Sequence, residues 1–532
     1  MKTSDLINLL CLPQSYPHSV EVITTIETHI SVVFLTGPYA YKLKKPVDFG
    51  FLNFSTLQHR KQYCGLELQL NQRYSPQLYL DVVAVYLDSH NQISWQPTTS
   101  HPQPIEYLVK MKQFDPNEVL GKKLQKETLR PEQVEALAHL IANFHQSSEA
   151  ILPNTPLAQS KLGTPLTLLE PMQDNFPTLY AHFKKKDTHT LKQLENWTQQ
   201  QFEHLSSVMH LRRESGHIKA CHGDLHTDNM TLINQQPVLF DGIEFNEAFR
   251  WIDTISDLAF LLIDLDFKKQ RALSSNILSL YLSQTADYPA LQLLKFYQVY
   301  RALVRAKITT LRATQLPDNH LEKNHLMSTA RNYMHLATTY IQPNTTPKLI
   351  LLQGVSGSGK SYFADQLLTL MPAIILSSDR IRKQLYGIDP LHRVSESEKI
   401  ALYSAKMNRK VYQTLLEQAK QVLSFGFNVI VDATFLQTKH RTPFYEMCQS
   451  FGHHNLSIFS GVIYIQTSKA LASLAIQSRT HKNNNPSDAN VTVMLNQHKQ
   501  LEPPTPFENA LNLEAQQLRQ FFPTPLIQDF LT

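Results

Sequence analysis

The sequence predicts two domains in series, an α+β domain followed by an α/β domain. Strand-like segments surround one helical segment between residues 20 and 114, and helical periodicity dominates from residue 131 onward. From residue 348, short apolar segments alternate with helical ones, which is typical of a parallel sheet. We therefore expect a bilobal first domain, with a small β-rich lobe and a larger helical lobe, and a second domain built on a parallel sheet.

Length and a proline-containing segment indicate where the domains divide. A chain of 532 residues is too long for one ordinary domain. Pro343 and Pro347, with Thr345 and Thr346 between them, interrupt a helical stretch just before an apolar strand, which is typical of a linker. The predicted domains are residues 1–342 and 346–532.

Composition excludes several classes of protein. A hydrophobic fraction of 42% and a charged fraction of 18% exclude a highly charged disordered chain. The formal net charge of +5 is mild for this length and does not indicate a general nucleic-acid coat. From residue 346 onward Lys and Arg outnumber Asp and Glu by 18 to 13, whereas before it they balance at 32 each. This distribution favours an anionic ligand in the second domain.

Cysteine usage and apolar runs predict a cytoplasmic protein. The four cysteines lie far apart with no CxxC pair, which argues against a disulfide framework or a zinc site. The apolar stretch near the amino terminus is interrupted by Asn8 and is too short for a signal peptide. No run approaches the roughly 18 apolar residues of a membrane span, so no membrane partner is expected.

The clearest motif is GVSGSGKS at residues 354–361, which matches GxxxxGK[ST] between a strand and a helix. Glycines let backbone N–H groups approach phosphate oxygens, and the helix N-terminus adds a favourable dipole. Lys360 would neutralise the β- and γ-phosphates, and Ser361 would ligate magnesium. The motif predicts ATP and Mg²⁺ as cofactors. The predicted nucleotide-binding residues are Gly354, Val355, Ser356, Gly357, Ser358, Gly359, Lys360 and Ser361.

Two further strand ends in this domain carry carboxylates. Asp432 follows the apolar segment FNVIV, where it would hold magnesium. Asp379 ends the segment AIILSSD and would act as a base toward a substrate hydroxyl, or would only cap the following helix. Arg380 and Arg382 come next and favour an acceptor that already carries a phosphate.

The first domain contains a second set of phosphoryl-transfer residues. Asp224 and Asn229 occur in CHGDLHTDN at the spacing D-x4-N, and Asp241 follows the apolar segment VLF. Transfer onto a hydroxyl requires a carboxylate that accepts the proton and oxygen ligands for magnesium, and these three residues supply that set. The alternative interpretation is a polar turn and hairpin without chemistry.

The small lobe should then carry a lysine for the α- and β-phosphates and a helical glutamate that positions it. Lys42 in YAYK has the expected place after an apolar strand, and Lys44 has the same strand parity and ranks second. Glu67, in CGLELQLN, is the best helical partner. The alternative for each is an ordinary surface charge.

The second domain resembles the bacterial P-loop kinases related to polynucleotide kinase, zeta-toxin kinases and chloramphenicol phosphotransferase. The resemblance rests on residues 354–361, SSDRIR, VDATF with Arg441 following, and PSDANVTVMLNQ, and it covers nearly all of 348–505. It implies that Asp379 is the hydroxyl-activating base and that Arg479 is a lid arginine. Members of this group often carry another arginine four residues earlier, where this chain has Ala475.

The first domain resembles the aminoglycoside phosphotransferase family, whose fold is protein-kinase-like, and especially a bacterial branch fused to a P-loop kinase. The resemblance rests on YKLKKPVDFGFLNFSTLQHR, ELQLNQRYSPQLYLDVV, HGDLHTDN and FDGIEFNEAFRWIDTISDLAF. It implies that Asp224 is the base, that Asn229 and Asp241 are metal ligands, and that Asp257 supports the catalytic loop. The candidate phosphate-covering turn, ETHIS at 27–31, contains no glycine, unlike the protein-kinase loop.

These features together predict an ATP-dependent phosphotransferase with two nucleotide sites. Each site would transfer the γ-phosphoryl group of Mg-ATP to a small-molecule hydroxyl acceptor. Two alternatives stay open. One domain binds nucleotide only and regulates the other, or the second domain is a nucleic-acid 5′-hydroxyl kinase, an acceptor class that is considered but not favoured.

Overall fold

The computed structural model describes residues 2–50, 52–99, 101–342, 346–452, 458–482, 487–516 and 522–531. The chain forms two compact units, the first of Met1–Leu129 and Asn143–Asp264 and the second of Arg130–Ala142 and Leu265–Thr532. Residues 343–345 of the predicted linker lie outside the described residues. The helical residues after 264 belong to the second unit, because they pack with the carboxyl-terminal ones. The predicted limits 1–342 and 346–532 divide the chain by sequence and stay a prediction.

The strands are short in both units. They are β1 (Thr24–Glu27), β2 (Ser31–Leu35), β3 (Tyr39–Lys44), β4 (Tyr79–Leu87), β5 (Ile93–Ser94), β6 (Glu106–Lys112), β7 (Ile218–Ala220), β8 (Met230–Ile233), β9 (Gln236–Leu239), β10 (Trp251–Asp253), β11 (Lys348–Gln353), β12 (Ile374–Ser377), β13 (Val429–Asp432), β14 (Phe459–Gln466) and β15 (Ala510–Glu514).

The helices are concentrated after residue 130. They are α1 (Thr3–Leu10), α2 (Leu57–Asn71), α3 (Leu120–Lys123), α4 (Pro131–Ser147), α5 (Pro165–Gln173), α6 (Asn175–His182), α7 (Lys185–Glu214), α8 (Glu247–Arg250), α9 (Thr254–Phe267), α10 (Arg271–Thr285), α11 (Leu291–Thr314), α12 (Leu321–Tyr340), α13 (Lys360–Leu367), α14 (Ser378–Tyr386), α15 (Glu396–Leu402), α16 (Ala405–Ser424), α17 (Thr438–Gly452), α18 (Lys469–Lys482), α19 (Val491–Gln500) and α20 (Pro525–Leu531). None of the helices in the described ranges is long and apolar enough to cross a membrane.

An antiparallel sheet in the order β1-β2-β3-β6-β4-β5 forms the β-rich part of the first unit. Strand β3 pairs with β2 on one side and β6 on the other, so its side chains have a fixed register. Helix α2 packs against β6 and β4, and Thr56 caps it by accepting the His59 N–H. This arrangement brings one face of α2 toward the side chains of the central strands.

Two small strand pairs frame the segment from Cys221 to Asn229 in the first unit. Strand β7 pairs with β10 just before this segment, and β8 pairs with β9 just after it. The β8–β9 turn uses Asn234 and Gln235 with positive φ, which is typical of a tight two-residue hairpin. The segment is therefore anchored at both ends, and Asp241 follows it two residues after β9.

The second unit contains a parallel sheet in the order β12-β13-β11-β14-β15, and every pairing in it is parallel. The apolar residues 349–352 of β11 are fully buried, as expected for a central parallel strand covered on both faces. Because the strands are parallel, the carboxyl ends of β11, β12 and β13 meet at one edge. Ser377 pairs in register with Asp432 there.

Two features of the second unit were not apparent from the sequence. Strand β15 was not predicted, because its residues alternate and only Leu513 is buried. Helix α10 packs against the edge strand β12, and Ser279 Oγ accepts the Ile375 N–H at 3.0 Å. The predicted fold class is otherwise confirmed, with an α+β part followed by a five-stranded parallel sheet.

A buried ion pair fixes the loop that follows β13. Arg441 is fully buried on α17, and its Nε and Nη2 lie 2.6 and 2.9 Å from the carboxylate oxygens of Glu508. Its Nη1 donates to the Phe435 carbonyl at 2.9 Å. The pair thus ties the loop after Asp432 to the segment that precedes β15.

We expect Arg441→Met to destabilise the second unit by about 3 kcal/mol or more, because it leaves the Glu508 carboxylate buried without its cation. The double variant Arg441→Met with Glu508→Leu should recover much of that loss. The measurement is the urea midpoint of hydrogen exchange in peptides spanning β11 and β13, with the exposed Lys420→Met as the control. Equal losses in the single and double variants would contradict this account.

Candidate active sites

Strand β3 places two lysines on one face, and both contact the same carboxylate. Lys42, Lys44 and Glu67 are 8%, 1% and 0% exposed, so none of them is a surface charge. Lys42 Nζ lies 2.8 Å from Glu67 Oε1, and Lys44 Nζ lies 2.5 Å from Glu67 Oε2. The sequence ranked Lys42 before Lys44, but the structure brings both lysines to Glu67.

The segment after β9 adds two more acids to these lysines. Asp241 forms an ion pair with Lys42, and Glu244 forms one with Lys44. Asp241 has a φ of +61°, and its N–H donates to Tyr79 Oη at 2.9 Å. Glu244 was not predicted. The only sign of it in the sequence is an acidic residue three positions after Asp241. Its burial becomes visible only in the structure.

Electrostatics explain why these charges persist in the interior. Although burial would raise the pKa of Glu67, Lys42 and Lys44 lower it to about 2. The surrounding acids raise the pKa of Lys42 well above its usual value against the effect of burial, chiefly Asp241 and then Glu67. Burial instead raises the pKa of Glu244, and Lys44 only partly offsets this. Glu67 is therefore ionised under all ordinary conditions.

The predicted catalytic loop brings Asp224 and Asn229 into contact. Asn229 Nδ2 donates to Asp224 Oδ2 at 2.9 Å and to the Asp224 carbonyl at 3.0 Å. His226 Nε2 lies 3.2 Å from the same Oδ2. The Asp224 side chain is 37% exposed, so it is accessible while its orientation is held.

Asp257 holds the backbone of this loop through hydrogen bonds, which is the role that the resemblance implied. Its two carboxylate oxygens accept the His222 and Gly223 N–H groups at 3.0 and 2.9 Å, and His145 Nε2 lies 3.1 Å away. His145, Cys221 and Asp257 also bring potential metal-ligand atoms within 4.8 Å of one another. However, the Asp257 oxygens are already engaged by N–H donors, and burial raises the pKa of the Cys221 thiol. This cluster is therefore a hydrogen-bonded support.

Glycine geometry makes the phosphate-binding loop compact. Gly357 has a φ of +82°, and a Cβ at this position would lie 2.6 Å from the Ala472 carbonyl oxygen. Gly359 has a φ of +94° and is the N-cap residue of helix α13. Lys360 Nζ donates to the Val355 carbonyl at 2.9 Å. The loop therefore folds around the Lys360 side chain, and its backbone N–H groups would surround a bound phosphate.

Helix α19 covers part of this loop. Gln497 Oε1 accepts the Ser356 N–H at 2.7 Å, a contact that the sequence analysis missed although Gln497 lies in the PSDANVTVMLNQ segment. Ser356, Gly357, Gly359, Lys360 and Ser361 line a cavity of about 1090 Å³. The remaining predicted loop residues, Gly354, Val355 and Ser358, lie outside this lining.

The two predicted magnesium ligands of the second unit are in direct contact. Ser361 Oγ donates to Asp432 Oδ2 at 2.6 Å, and both residues line the cavity. Burial raises the pKa of Asp432, with Lys360 opposing the shift. A hydroxyl beside a carboxylate is an oxygen donor set of the kind that Mg²⁺ prefers. These residues therefore fit the ion. A cation here would reduce the free-energy cost of keeping the buried Asp432 carboxylate ionised.

Asp379 also lines the cavity, on helix α14. Ser377 occupies the N-cap position, so the alternative that Asp379 only caps this helix is wrong. Arg382, one turn farther on, lines the cavity as well. Arg380 does not, because it pairs with Glu135 of the same unit at 2.5 Å. The predicted contribution of Arg380 to acceptor binding is therefore not supported.

Arg479 is the predicted lid arginine of the second domain. Arg479 belongs to helix α18, but its side chain lies outside the described residues. Ala475, which stands where related chains often have an arginine, lines the cavity. The role of Arg479 stays a prediction.

The Glu67 cluster predicts a characteristic pH dependence. The folded protein lowers the pKa of Glu67 from 4.5 to about 2, so its charge stabilises the fold above pH 4.5, and this stabilisation falls as the pH drops toward 2. We expect Glu67→Gln to cost about 3 kcal/mol near neutral pH and progressively less below pH 4.5.

Tryptophan fluorescence in urea measures this difference, because all three tryptophans, Trp95, Trp197 and Trp251, lie in the first unit. Glu27→Gln is the control, since Glu27 forms an exposed pair with Lys45. A difference between wild type and Glu67→Gln that stays constant from pH 7 to pH 3 would rule out this assignment.

Comparisons with known proteins agree with this geometry. Residues 71–294 match the family model described as "Phosphotransferase enzyme family", and residues 349–504 match the one described as "AAA domain". An uncharacterized protein of Mycobacterium tuberculosis strain H37Rv is 29% identical over 411 residues, which span 77% of this chain and 78% of that protein. A protein of Mycobacterium bovis shows the same values.

Among solved structures, amicoumacin kinase hAmiN in complex with AMP-PNP, Ca²⁺ and Ami is 13% identical with a TM-score of 0.40, covering 64% of this chain and 94% of that one. A gluconokinase from Sinorhizobium meliloti 1021 is 16% identical with a TM-score of 0.22, covering 34% of this chain and 87% of that one. The resemblance inferred from sequence is confirmed in both halves by the two family models. Residues 71–294 therefore resemble phosphotransferase-family proteins, and residues 349–504 resemble AAA domains.

Proposed function

We propose that this protein is an ATP-dependent phosphotransferase with two nucleotide sites, each of which transfers the γ-phosphoryl group to an alcohol. The observation that carries the proposal is the contact between Ser361 and Asp432, at 2.6 Å, in a cavity that also contains Lys360 and Asp379. A phosphate-binding lysine, an oxygen ligand pair and a separate carboxylate are the parts that phosphoryl transfer to a hydroxyl requires.

In the second unit these parts have distinct tasks. Backbone N–H groups of the loop and Lys360 hold the phosphates of ATP, and Mg²⁺, held by Ser361 and Asp432, supplies charge neutralisation when bound. Asp379 Oδ accepts the proton of the acceptor hydroxyl as that oxygen attacks the γ-phosphorus, while the bond from the γ-phosphorus to the β–γ bridging oxygen breaks and ADP leaves. Positioning of the reactants and neutralisation of the phosphate charge then contribute most of the rate enhancement.

In the first unit Asp224 accepts the proton of the acceptor hydroxyl, and Asn229 holds the Asp224 carboxylate in place. The side-chain amide oxygen of Asn229 and the carboxylate of Asp241 would hold Mg²⁺. The Asp241 side chain is 44% exposed, so an ion can reach it. Lys42, positioned by Glu67, binds the α- and β-phosphates. The ion pair between Lys42 and Asp241 implies that nucleotide binding rearranges these two side chains.

A second candidate function for the first unit is nucleotide binding without turnover. In the turn between β1 and β2, Thr28 Oγ1 accepts the N–H groups of Ile30 and Ser31 at 3.3 and 3.0 Å. These are the amides that would cover a phosphate, and the turn contains no glycine that would free them. This unit would then regulate the P-loop unit instead of catalysing its own reaction.

Mg-dependent ATP turnover with a panel of alcohols distinguishes the two candidates. We expect Asp224→Ala and Lys360→Ala each to remove a separable part of the turnover, by about 10²-fold or more for the site concerned, and the double variant to remove both parts. Asp228→Ala, an exposed acid in the same loop, and Lys420→Ala, an exposed lysine on α16, are the controls.

The pattern of loss decides between the candidates. If Asp224→Ala changes nothing and Lys360→Ala abolishes all turnover, the first unit is a binding or regulatory module. If neither change affects turnover, the proposed function is wrong for both sites.

A further inference from the structure

The cavity of the second unit has a wall that phosphate binding and proton transfer leave unused. Helices α14 and α16 and the first turn of α17 contribute this wall. It begins at Asp379, the group placed at the acceptor hydroxyl, and Arg382 lies one helical turn from it. The wall is therefore where the rest of an acceptor molecule would lie.

Arg382 is a buried cation with unused hydrogen-bonding capacity. It is 7% exposed, and its Nη1 donates to the Leu402 carbonyl and to Asn408 Oδ1, each at 2.7 Å. Its guanidinium stacks over the Tyr403 ring at 4.7 Å. Its Nε has no hydrogen-bond partner among the residues that the structure describes. Arg382 is therefore a fixed cation in the cavity wall, and an anionic group of an acceptor is a suitable partner for its charge.

Two exposed cations continue the same wall. Arg409 follows Asn408 on α16, next to the residue that binds Arg382. One turn farther along α16, Tyr412 stacks on His440 with ring centroids 4.5 Å apart, and Lys439 precedes His440. Within the described ranges, neither Arg409 nor Lys439 forms an ion pair, although both line the cavity.

The charges of the wall do not balance. Among the described lining residues the carboxylates are Asp379 and Asp432, and both already have tasks. Lys360 serves the nucleotide phosphates, so Arg382, Arg409 and Lys439 outnumber the carboxylates left in the lining, although Glu502, outside the lining, interacts with Lys439. His440 adds no positive charge at neutral pH, because burial lowers its pKa. An acceptor that carries negative charge would complete the site.

We propose that the acceptor of the second site is an alcohol bearing an anionic group, a carboxylate or a phosphate, which Arg382, Arg409 and Lys439 bind while its hydroxyl lies at Asp379. This inference rests on the proposed function and adds the class of substrate. It also replaces the earlier expectation from sequence, since Arg380 is paired with Glu135 and Arg409 and Lys439 were not predicted.

The test uses the full-length chain carrying Asp224→Ala, so that the first site does not contribute. Initial rates with Mg-ATP are measured for glycerol, glycerate and glycerol 3-phosphate, and for glucose, gluconate and glucose 6-phosphate. The carboxylate and phosphate members of each set distinguish the two sources of charge. A 5′-hydroxyl oligonucleotide is included as a macromolecular acceptor.

We expect the anionic members to exceed the neutral member of their set by at least about tenfold in kcat/KM. Arg409→Gln and Lys439→Gln should each raise the KM for the anionic acceptor by about tenfold, the effect of losing one charge-assisted hydrogen bond. The KM for ATP should change by less than about twofold. Lys420→Gln, an exposed lysine on the same helix that does not line the cavity, should leave all of these values unchanged.

Several outcomes overturn the proposal while leaving the proposed function intact. They are transfer to neutral alcohols as efficient as to anionic ones, transfer only to the oligonucleotide, Lys360-dependent ATP turnover with no anionic acceptor used, and an increase in the KM for ATP instead of the acceptor. If no ATP turnover depends on Lys360, the proposed function itself fails and this inference fails with it.

Discussion

The site of the first unit depends on the ion pairs that Lys42 and Lys44 both form with the Glu67 carboxylate. A buried carboxylate is tolerated only when cations and hydrogen bonds compensate for its lost hydration. Lys42 and Lys44 supply that compensation from one face of β3, and they in turn bind Asp241 and Glu244. One charge therefore links a strand, a helix and the segment after β9. Any shift of one of these elements would leave a buried charge unpaired.

The second unit uses a different constraint to reach a similar result. Parallel pairing brings the ends of β11, β12 and β13 to one edge, and residues from these ends enter one cavity. Arg441 then fixes the loop beyond Asp432 through its buried pair with Glu508. In both units some of the proposed site residues, such as Asp241 and Asp432, lie at or just after the end of a strand, and a buried ion pair holds the surrounding segment in place.

Much of this organisation was predictable because short motifs carry their own geometry. GVSGSGKS between an apolar strand and a helix admits few other structures, and HGDLHTDN followed by VLFDG places three oxygen-bearing side chains within a short stretch. The strands of both sheets were predicted from apolar runs, except for β5 and the edge strand β15. The latter buries only Leu513, so its hydrophobic signal is weak.

The sequence by itself determined the order of the two nucleotide-binding motifs, the fold class and the residues that contact one another within each motif. Only the tertiary structure decided which distant charges meet. It brought Glu244 to Lys44, Glu135 to Arg380, and Arg409 and Lys439 into the same cavity as Asp379. Local patterns reflect neighbours within a few residues, whereas these contacts join residues from tens to more than two hundred positions apart. The cost of leaving a charge buried and unpaired depends on such contacts, and it becomes visible only when the chain is folded.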